Sequence, residues 1–266
     1  MADRLWDRLL SYEHTNLLWE MFHENSKITR YSEFLPDEEV RRRMQGIWQS
    51  LPMAHMPPIT LPVPETGAPS LALGYAISRR RSPNNMVAAP LAQTELGALL
   101  YYMAAARSGS GEPERPFRMV PSGGALYPIE IFVHLRTVEG LAPGLYYYDP
   151  LDHALHSVDT GDRSGDIAVC LLQPSLVMDS AIQIFQTALC VRSTFKYGDR
   201  GYRFVMMEAG HQAQNLSLVA TALGLGCVHV GGYRDHAVDE FLGIDGINHS
   251  TVYLAFVGRS EDEISA

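Results

Sequence analysis

The stretch "PSGGALYP" (121–128) places two adjacent glycines behind a proline and a serine, just ahead of the β-rich run "IEIFVHL". No Cβ stands in front of Gly123 or Gly124. The backbone there, with Pro121 and Ser122 beside it, can therefore come very close to something flat or bulky. On these residues alone, a plain turn feeding a strand is the structural alternative. "SRRRS" (78–82) groups three guanidinium groups with two hydroxyls, which is chemistry suited to a phosphate; a solvated basic turn is its alternative. "VGGY" (230–233) ends a strand-like run on Gly231 and Gly232, and "VGR" (257–259) ends another on Arg259. Together these stretches describe a site for a flat ring with an anionic tail.

"KYGDRGYR" (196–203) sets Lys196 beside Tyr197. Read without context, the lysine is a solvated loop cation and the tyrosine packs on the next helix. Other chemistries find less support. "HALH" (153–156) spaces two histidines three apart, but "YDPLDHALHSV" reads as a surface hairpin with no nearby cysteine or acidic cluster, so no metal site is expected. His211 reads as a hydrogen-bonded helix residue. The chain has no G-x-S-x-G elbow, no phosphate-cradling G-x-x-x-x-G-K and no G-x-G-x-x-G after a strand.

The elements that must position these residues follow from patterning. Leu5, Leu9, Tyr12, Leu17 and Met21 fall at roughly helical spacing, and "DEEVRRRMQGIWQ" (37–49) suggests another helix. The prolines at 52, 57, 58, 62, 64 and 69 forbid a regular helix and suit an extended arm across a surface. Residues 1–73 thus form an N-terminal helical segment and Pro-rich arm, and 74–266 the main domain. Within it, 91–106 is a helix capped by Thr94, with Leu96, Leu99, Leu100 and Met103 on one face. "RSGSGEPERPFRMV" is a loop, 129–135 and 144–149 are strands, and "SAIQIFQTAL" is a strand or a helix. A long helix spans 202–226, with Ala209, Ala213 and Ser217 as a small-residue stripe and glycines at its end. "CVHVGGY" and "TVYLAFVGR" are strands flanking the short helix "DHAVDEFLG". Strands mixed with helices, without strict alternation, indicate an α+β fold.

The chain has 266 residues and a net charge of −9, which disfavours nucleic acid or an anionic membrane as main partner. Cys170, Cys190 and Cys227 show no C-x-x-C spacing and read as reduced thiols. No run of about 18 uncharged apolar residues occurs, and the start lacks a signal-peptide core. A soluble, cytoplasmic protein is expected.

The order "RRS … PSGGALYP … KYGDRGYR … EAGHQAQNL … ALGLG … VGGY … VGR" resembles the SagB-type, thiazole/oxazole-forming dehydrogenase branch of the nitroreductase-like flavoproteins. The likeness spans about 74–260, and "FHENSK" (22–27) is similar to the N-terminal segment of that branch. The resemblance implies a nitroreductase-like α+β fold: a central, mostly antiparallel sheet wrapped by helices in an intertwined homodimer, with two FMN molecules at the subunit interface. By that resemblance Pro121, Ser122, Gly123 and Gly124 approach the flavin ring of the partner subunit. Arg80, Arg81 and Ser82 hold the FMN phosphate and ribityl chain, Gly231 and Gly232 lie near N5, and Arg259 reaches the phosphate. Asn84 belongs to the same segment but stands where the family often has a basic residue. Ala125 stands where nitroreductases often carry an asparagine.

The resemblance implies an FMN-dependent oxidoreductase that oxidises thiazoline or oxazoline rings to thiazoles or oxazoles. The substrate would be a modified peptide or a carrier-bound natural-product intermediate, with a cyclodehydratase as a further partner. Lys196 and Tyr197 match a pair that ordinary nitroreductases lack. Aromatising an azoline needs loss of a poorly acidic C–H proton as hydride leaves for N5, and a lysine oriented by a tyrosine can take that proton. Two rivals stand beside this reading: an NAD(P)H-dependent nitro- or quinone reductase, and a flavin-free scaffold subunit of a biosynthetic complex.

Overall fold

Residues 129–135 and 182–189 are apolar at nearly every second position and carry few charges, so neither run has a face to give to water. Both are central strands, buried along almost their whole length. A computed structural model describes residues 18–47, 49–52, 57–87, 89–112 and 115–260. Leu5, Leu9, Tyr12 and Leu17 lie outside them.

Ten strands are described: β1 (Ile59–Thr60), β2 (Met86–Val87), β3 (Ala106–Glu112), β4 (Arg115–Arg118), β5 (Ile129–Leu135), β6 (Gly144–Asp149), β7 (Ala154–Thr160), β8 (Ile182–Leu189), β9 (Leu225–Val230) and β10 (His249–Ser260). The main sheet runs β1-β7-β6-β5-β8-β10-β2, with β9 also on β10. Every pairing between these strands is antiparallel. The helices are α1 (Leu18–Asn25), α2 (Asp37–Met44), α3 (Leu73–Arg79), α4 (Gln93–Ala104), α5 (Ser164–Cys170), α6 (Ser175–Asp179), α7 (Val191–Tyr197), α8 (Arg200–Ala222) and α9 (Asp235–Leu242).

Helices cover both faces of the sheet. On one, Ile131, Val133 and Leu135 of β5 pack with Leu96, Leu99, Leu100 and Met103 of α4 and with Leu216 and Ala220 of α8. On the other, Phe132 packs with Phe185, with Ile167 and Val177 of α5 and α6, and with Val238 and Leu242 of α9. The period-two alternation along β5 is what feeds two cores from one strand.

Several expectations change. The N-cap of α4 is Ala92, not Thr94; the Glu95 carboxylate accepts the Ala92 N–H at 2.8 Å, so an acid in the first turn replaces the hydroxyl. The loop after α4 forms a second small sheet, β3 with β4. "SAIQIFQTAL" is the strand β8. The Pro-rich arm adds β1 to the sheet edge and buries Leu61, rather than only lying across a surface. The "HALH" hairpin exists, but His153 is buried, sharing a hydrogen bond with the Tyr148 hydroxyl at 2.8 Å and contacting the Pro62 carbonyl. The long helix starts two residues early, and Leu225 and Gly226 belong to β9. The second N-terminal helix stops at Met44.

Candidate functional site

Three residues of the glycine loop sit at positive φ: Gly124 (68°), Ala125 (50°) and Tyr127 (47°). Such a backbone persists only where its surroundings over-determine it. Here the Tyr127 N–H donates to the Ser122 hydroxyl at 3.0 Å, and the Tyr127 hydroxyl accepts the Arg118 N–H at 2.9 Å. The buried Arg118 guanidinium lies 4.9 Å over the Tyr127 ring. From below, Arg192 donates to the Tyr127 carbonyl at 3.2 Å and forms an ion pair with Glu130. Tyr147 donates to the same Glu130 carboxylate at 2.7 Å. Both charges of that pair are buried, and each is hydrogen-bonded.

Lys196 and Tyr197 close α7 and face this loop. A Cβ on Gly124 would lie 2.6 Å from the Tyr197 hydroxyl and 3.1 Å from Lys196 Nζ. Only glycine fits there, on grounds of space as well as φ. The Lys196 ammonium stands 5.1 Å from the centre of the Tyr197 ring, which meets Phe204 edge-on at 4.9 Å; Phe204 in turn packs on Gly123. The glycine loop and the lysine–tyrosine pair, with Gly124 and Lys196 72 residues apart in sequence, are therefore one structure in a single chain. In front of Lys196 and Tyr197 opens a cavity of about 470 Å³, walled on its far side by Ile28, Phe34, Leu35, Val40 and Met44.

One turn beyond Phe204, Glu208 is buried under the loop. Desolvation pushes its carboxyl up to about 7, against the pull of the Ser122 hydroxyl, Arg118 and the Ile129 N–H. Among the described residues, neither carboxylate oxygen completes a hydrogen bond, and Arg118 Nη2 is also without one. Sequence reasoning passed over both residues. The available signal was a glutamate on the same helical face as Val205 and Gln212, which a solvated surface does not explain.

The arginine stretch occupies the other end of α8. Arg79 and Arg81 line a shallow recess with Thr221 and Ser260, and Ser82 and Asn84 follow on the exposed strand-entry turn. Arg80 lies near enough to His229 and Cys227 for its charge to act on both. Burial is the larger influence: it holds His229 down to about 4 and pushes the Cys227 thiol up to about 12. His229 bonds the Ser217 hydroxyl at 2.7 Å and stacks on Tyr253. Two residues on, Gly231 is exposed, and a Cβ there would meet nothing within 4 Å. Arg259 departs from the expected convergence. It alternates with Ser260 along β10, so its side chain leaves the recess and forks onto Glu95 at 2.7 and 2.8 Å. Thr221 and Phe204 are seventeen residues apart on α8, roughly 25 Å of helix. That is more than one flavin mononucleotide spans from phosphate to ring.

The donor set suits FMN in two respects. Clustered, exposed guanidiniums suit its phosphate, and the unfilled space at Gly231 suits a flat ring.

A protein-family model described as the nitroreductase family matches residues 77–259, which holds these residues except Ser260 and the cavity's far wall. The chain belongs to the nitroreductase family. Its antiparallel sheet flanked by helices is the nitroreductase-like α+β fold. MJ1384 of Methanocaldococcus jannaschii, a candidate nitroreductase, is 38% identical over 65% of this chain and 85% of its own. The microcin B17-processing protein McbC of Escherichia coli is 35% identical over 58% of this chain and 57% of its own. The trifolitoxin-processing protein TfxB of Rhizobium leguminosarum is 29% identical over 54% and 40%. The chain thus spans little over half of McbC and less of TfxB.

Among solved structures, one from Anabaena variabilis superposes with a TM-score of 0.73 at 26% identity, over 95% of this chain and 49% of that one. The E. coli microcin synthetase McbBCD complex with truncated pro-MccB17 gives 0.61 at 23% identity over 92% of each chain. A Desulfovibrio desulfuricans protein in complex with FMN gives 0.51 at 17% identity over 73% and 89%. Among the described residues, no helix is long and apolar enough to cross a membrane.

Proposed function

We propose that this nitroreductase-family chain is an FMN-dependent azoline dehydrogenase, oxidising thiazoline or oxazoline rings of a modified peptide to thiazoles or oxazoles. The observation that carries the reading is the meeting of Gly124 with Lys196 and Tyr197, the pair that lines the cavity of about 470 Å³. A base and an aromatic hydroxyl there face the loop that, by resemblance, lies on the flavin. Similarity to two peptide-processing proteins supports the same direction.

Bound FMN would supply the hydride acceptor, with dioxygen as the terminal oxidant. The chain's own residues do the rest. Lys196 takes the ring C–H proton on its amine nitrogen, and Tyr197 orients that amine and can relay the proton outward. Arg80, Arg81 and Ser82 hold the phosphate together with Arg79, and Asn84 borders them. Gly231 and Gly232 present backbone to the ring without a side chain between. The length of α8 supports a homodimer: the arginine recess and the loop of Pro121, Ser122, Gly123 and Gly124 can serve one flavin only if they come from two subunits. The reaction that must precede this one is ring closure with loss of water, so a cyclodehydratase is the partner that supplies its substrate.

The test is turnover of a synthetic azoline peptide by the purified yellow dimer without nicotinamide. Lys196→Ala should slow it about 10²–10⁴-fold, and Tyr197→Phe less, both at unchanged flavin content. NADPH consumption with a nitroarene, in the absence of azoline oxidation, would favour a reductase; the likeness to MJ1384 is the finding on that side. Colourless protein would point to a scaffold.

A further inference from the structure

The N-terminal segment that walls the cavity is tied to the helix just beyond Lys196 and Tyr197. Arg200 donates to the Ser26 carbonyl at 2.8 Å, and Arg203 donates to the Ser26 hydroxyl at 2.9 Å and to the His23 carbonyl. Phe22 meets the Tyr202 ring edge-on at 5.4 Å and lies under the Arg203 guanidinium. Ser26 is buried in this clasp, although α1 itself buries no side chain. A second tie holds the other end of the segment: Arg192 donates to the Gln49 carbonyl at 2.8 Å, and the Tyr147 hydroxyl accepts the Leu51 N–H at 3.0 Å. The second tie runs to groups buried in the core and the first to half-buried arginines of α8, so the stretch is held at both ends.

Between the ties, residues 28–44 turn apolar groups toward Lys196. Ile28 and Phe34 remain 51% and 52% exposed, in water unless something fills the cavity. Asp37 and Arg41, one turn apart on α2, stand at the rim with opposite charges. A volume of this size is in the range of small-ligand pockets, enough for a ring and its immediate neighbours but not for a long peptide.

We infer that residues 28–44 form the substrate-facing wall of the site and select azolines whose flanking residues are uncharged and apolar, with Arg200 and Arg203 as positioning residues that hold the wall over Lys196. The inference rests on the azoline reading for its ligand class. The physical basis is desolvation: a charged neighbour would lose its water against Phe34, Leu35 and Val40, which offer it no partner, and Asp37 offsets the pull of Arg41 on an acidic one, whereas an apolar neighbour releases water from both surfaces.

The experiment uses FMN-loaded full-length protein and two short azoline peptides, one flanked by valine and one by glutamate. Wild type should prefer the valine peptide by roughly tenfold or more in kcat/KM. Phe34→Glu should erase that preference, with flavin content and light-scattering mass unchanged. The Arg200→Ala/Arg203→Ala double variant should raise KM for the valine peptide about tenfold, with kcat within a few-fold. Binding is also followed through the change that each peptide causes in the flavin spectrum, which needs no turnover. If wild type oxidises neither peptide but binds the valine one, and Phe34→Glu abolishes that binding, the wall stands and the azoline chemistry falls. Equal handling of both peptides by wild type, wild-type KM in the double variant, absence of both turnover and spectral change, or a halved mass for Phe34→Glu would each overturn the inference. The last would make the wall a subunit contact.

Discussion

The two ends of α8 solve different problems. At its first turns the glycine loop, Lys196 and Tyr197 rest on charges and hydroxyls that are almost all buried: Arg118, Glu130, Arg192 and Glu208. At its last turns the arginines stand exposed on a turn before a two-residue strand. Proton transfer demands positions fixed to a fraction of an ångström, and burial of paired charges supplies that rigidity. Holding a phosphate demands charge more than position, and exposed guanidiniums supply charge. Substitutions at the first end should therefore damage the fold as well as the chemistry, while those at the second should damage cofactor retention alone.

The largest effect is expected at the ion pair below the loop. Glu130→Ala leaves the buried Arg192 uncompensated and should cost about 3–5 kcal/mol of unfolding free energy. Denaturant melts would measure it; a loss below 1 kcal/mol would show that the closed end is not held by charge.

Glu208 should make stability pH-dependent. Its carboxyl ionises at about 7 when folded, against an ordinary value of 4.5. Between those values the folded chain binds more protons than the unfolded one, so this group's contribution falls as pH rises from about 4.5 to 7, then levels. The span corresponds to about 3 kcal/mol. Glu208→Gln should remove that slope, gaining on wild type between pH 5 and pH 8. Parallel curves for the two proteins would refute the assignment.

Gly124→Ala adds a Cβ against the Tyr197 hydroxyl at a left-handed backbone position. A destabilisation of about 1–3 kcal/mol is expected, with turnover lost beyond what the shift in melting temperature explains.

At the open end, Arg81→Ala should release FMN about tenfold more readily, at an unchanged melting temperature of the apoprotein. Equilibrium dialysis reads it directly. Arg259→Ala should do the least: it removes a partly exposed pair with Glu95, worth about 1 kcal/mol or less, and should leave flavin affinity closer to wild type than Arg81→Ala. Equal flavin loss from both variants would restore Arg259 to the phosphate and blur the contrast between the two ends.

Local pattern determined much of this protein. The face alternation of 129–135, the helical face of Leu96, Leu99, Leu100 and Met103, and the long helix expected over 202–226 and found over 200–222 are written in spacing, because each residue's face follows from its own element's geometry. The residue types suited to a ring and a phosphate were equally visible. Tertiary structure decided what no spacing records. It set Gly124 against Tyr197 and Lys196, turned Arg259 onto Glu95 by the alternation of a strand whose place in the sheet no spacing records, and folded "FHENSK" into the grip of Arg200 and Arg203. It also hid Glu130, Arg118 and Glu208, charges that sequence statistics place in water. A buried charge is stable only through partners distant in sequence, and those partners exist only once the chain has folded.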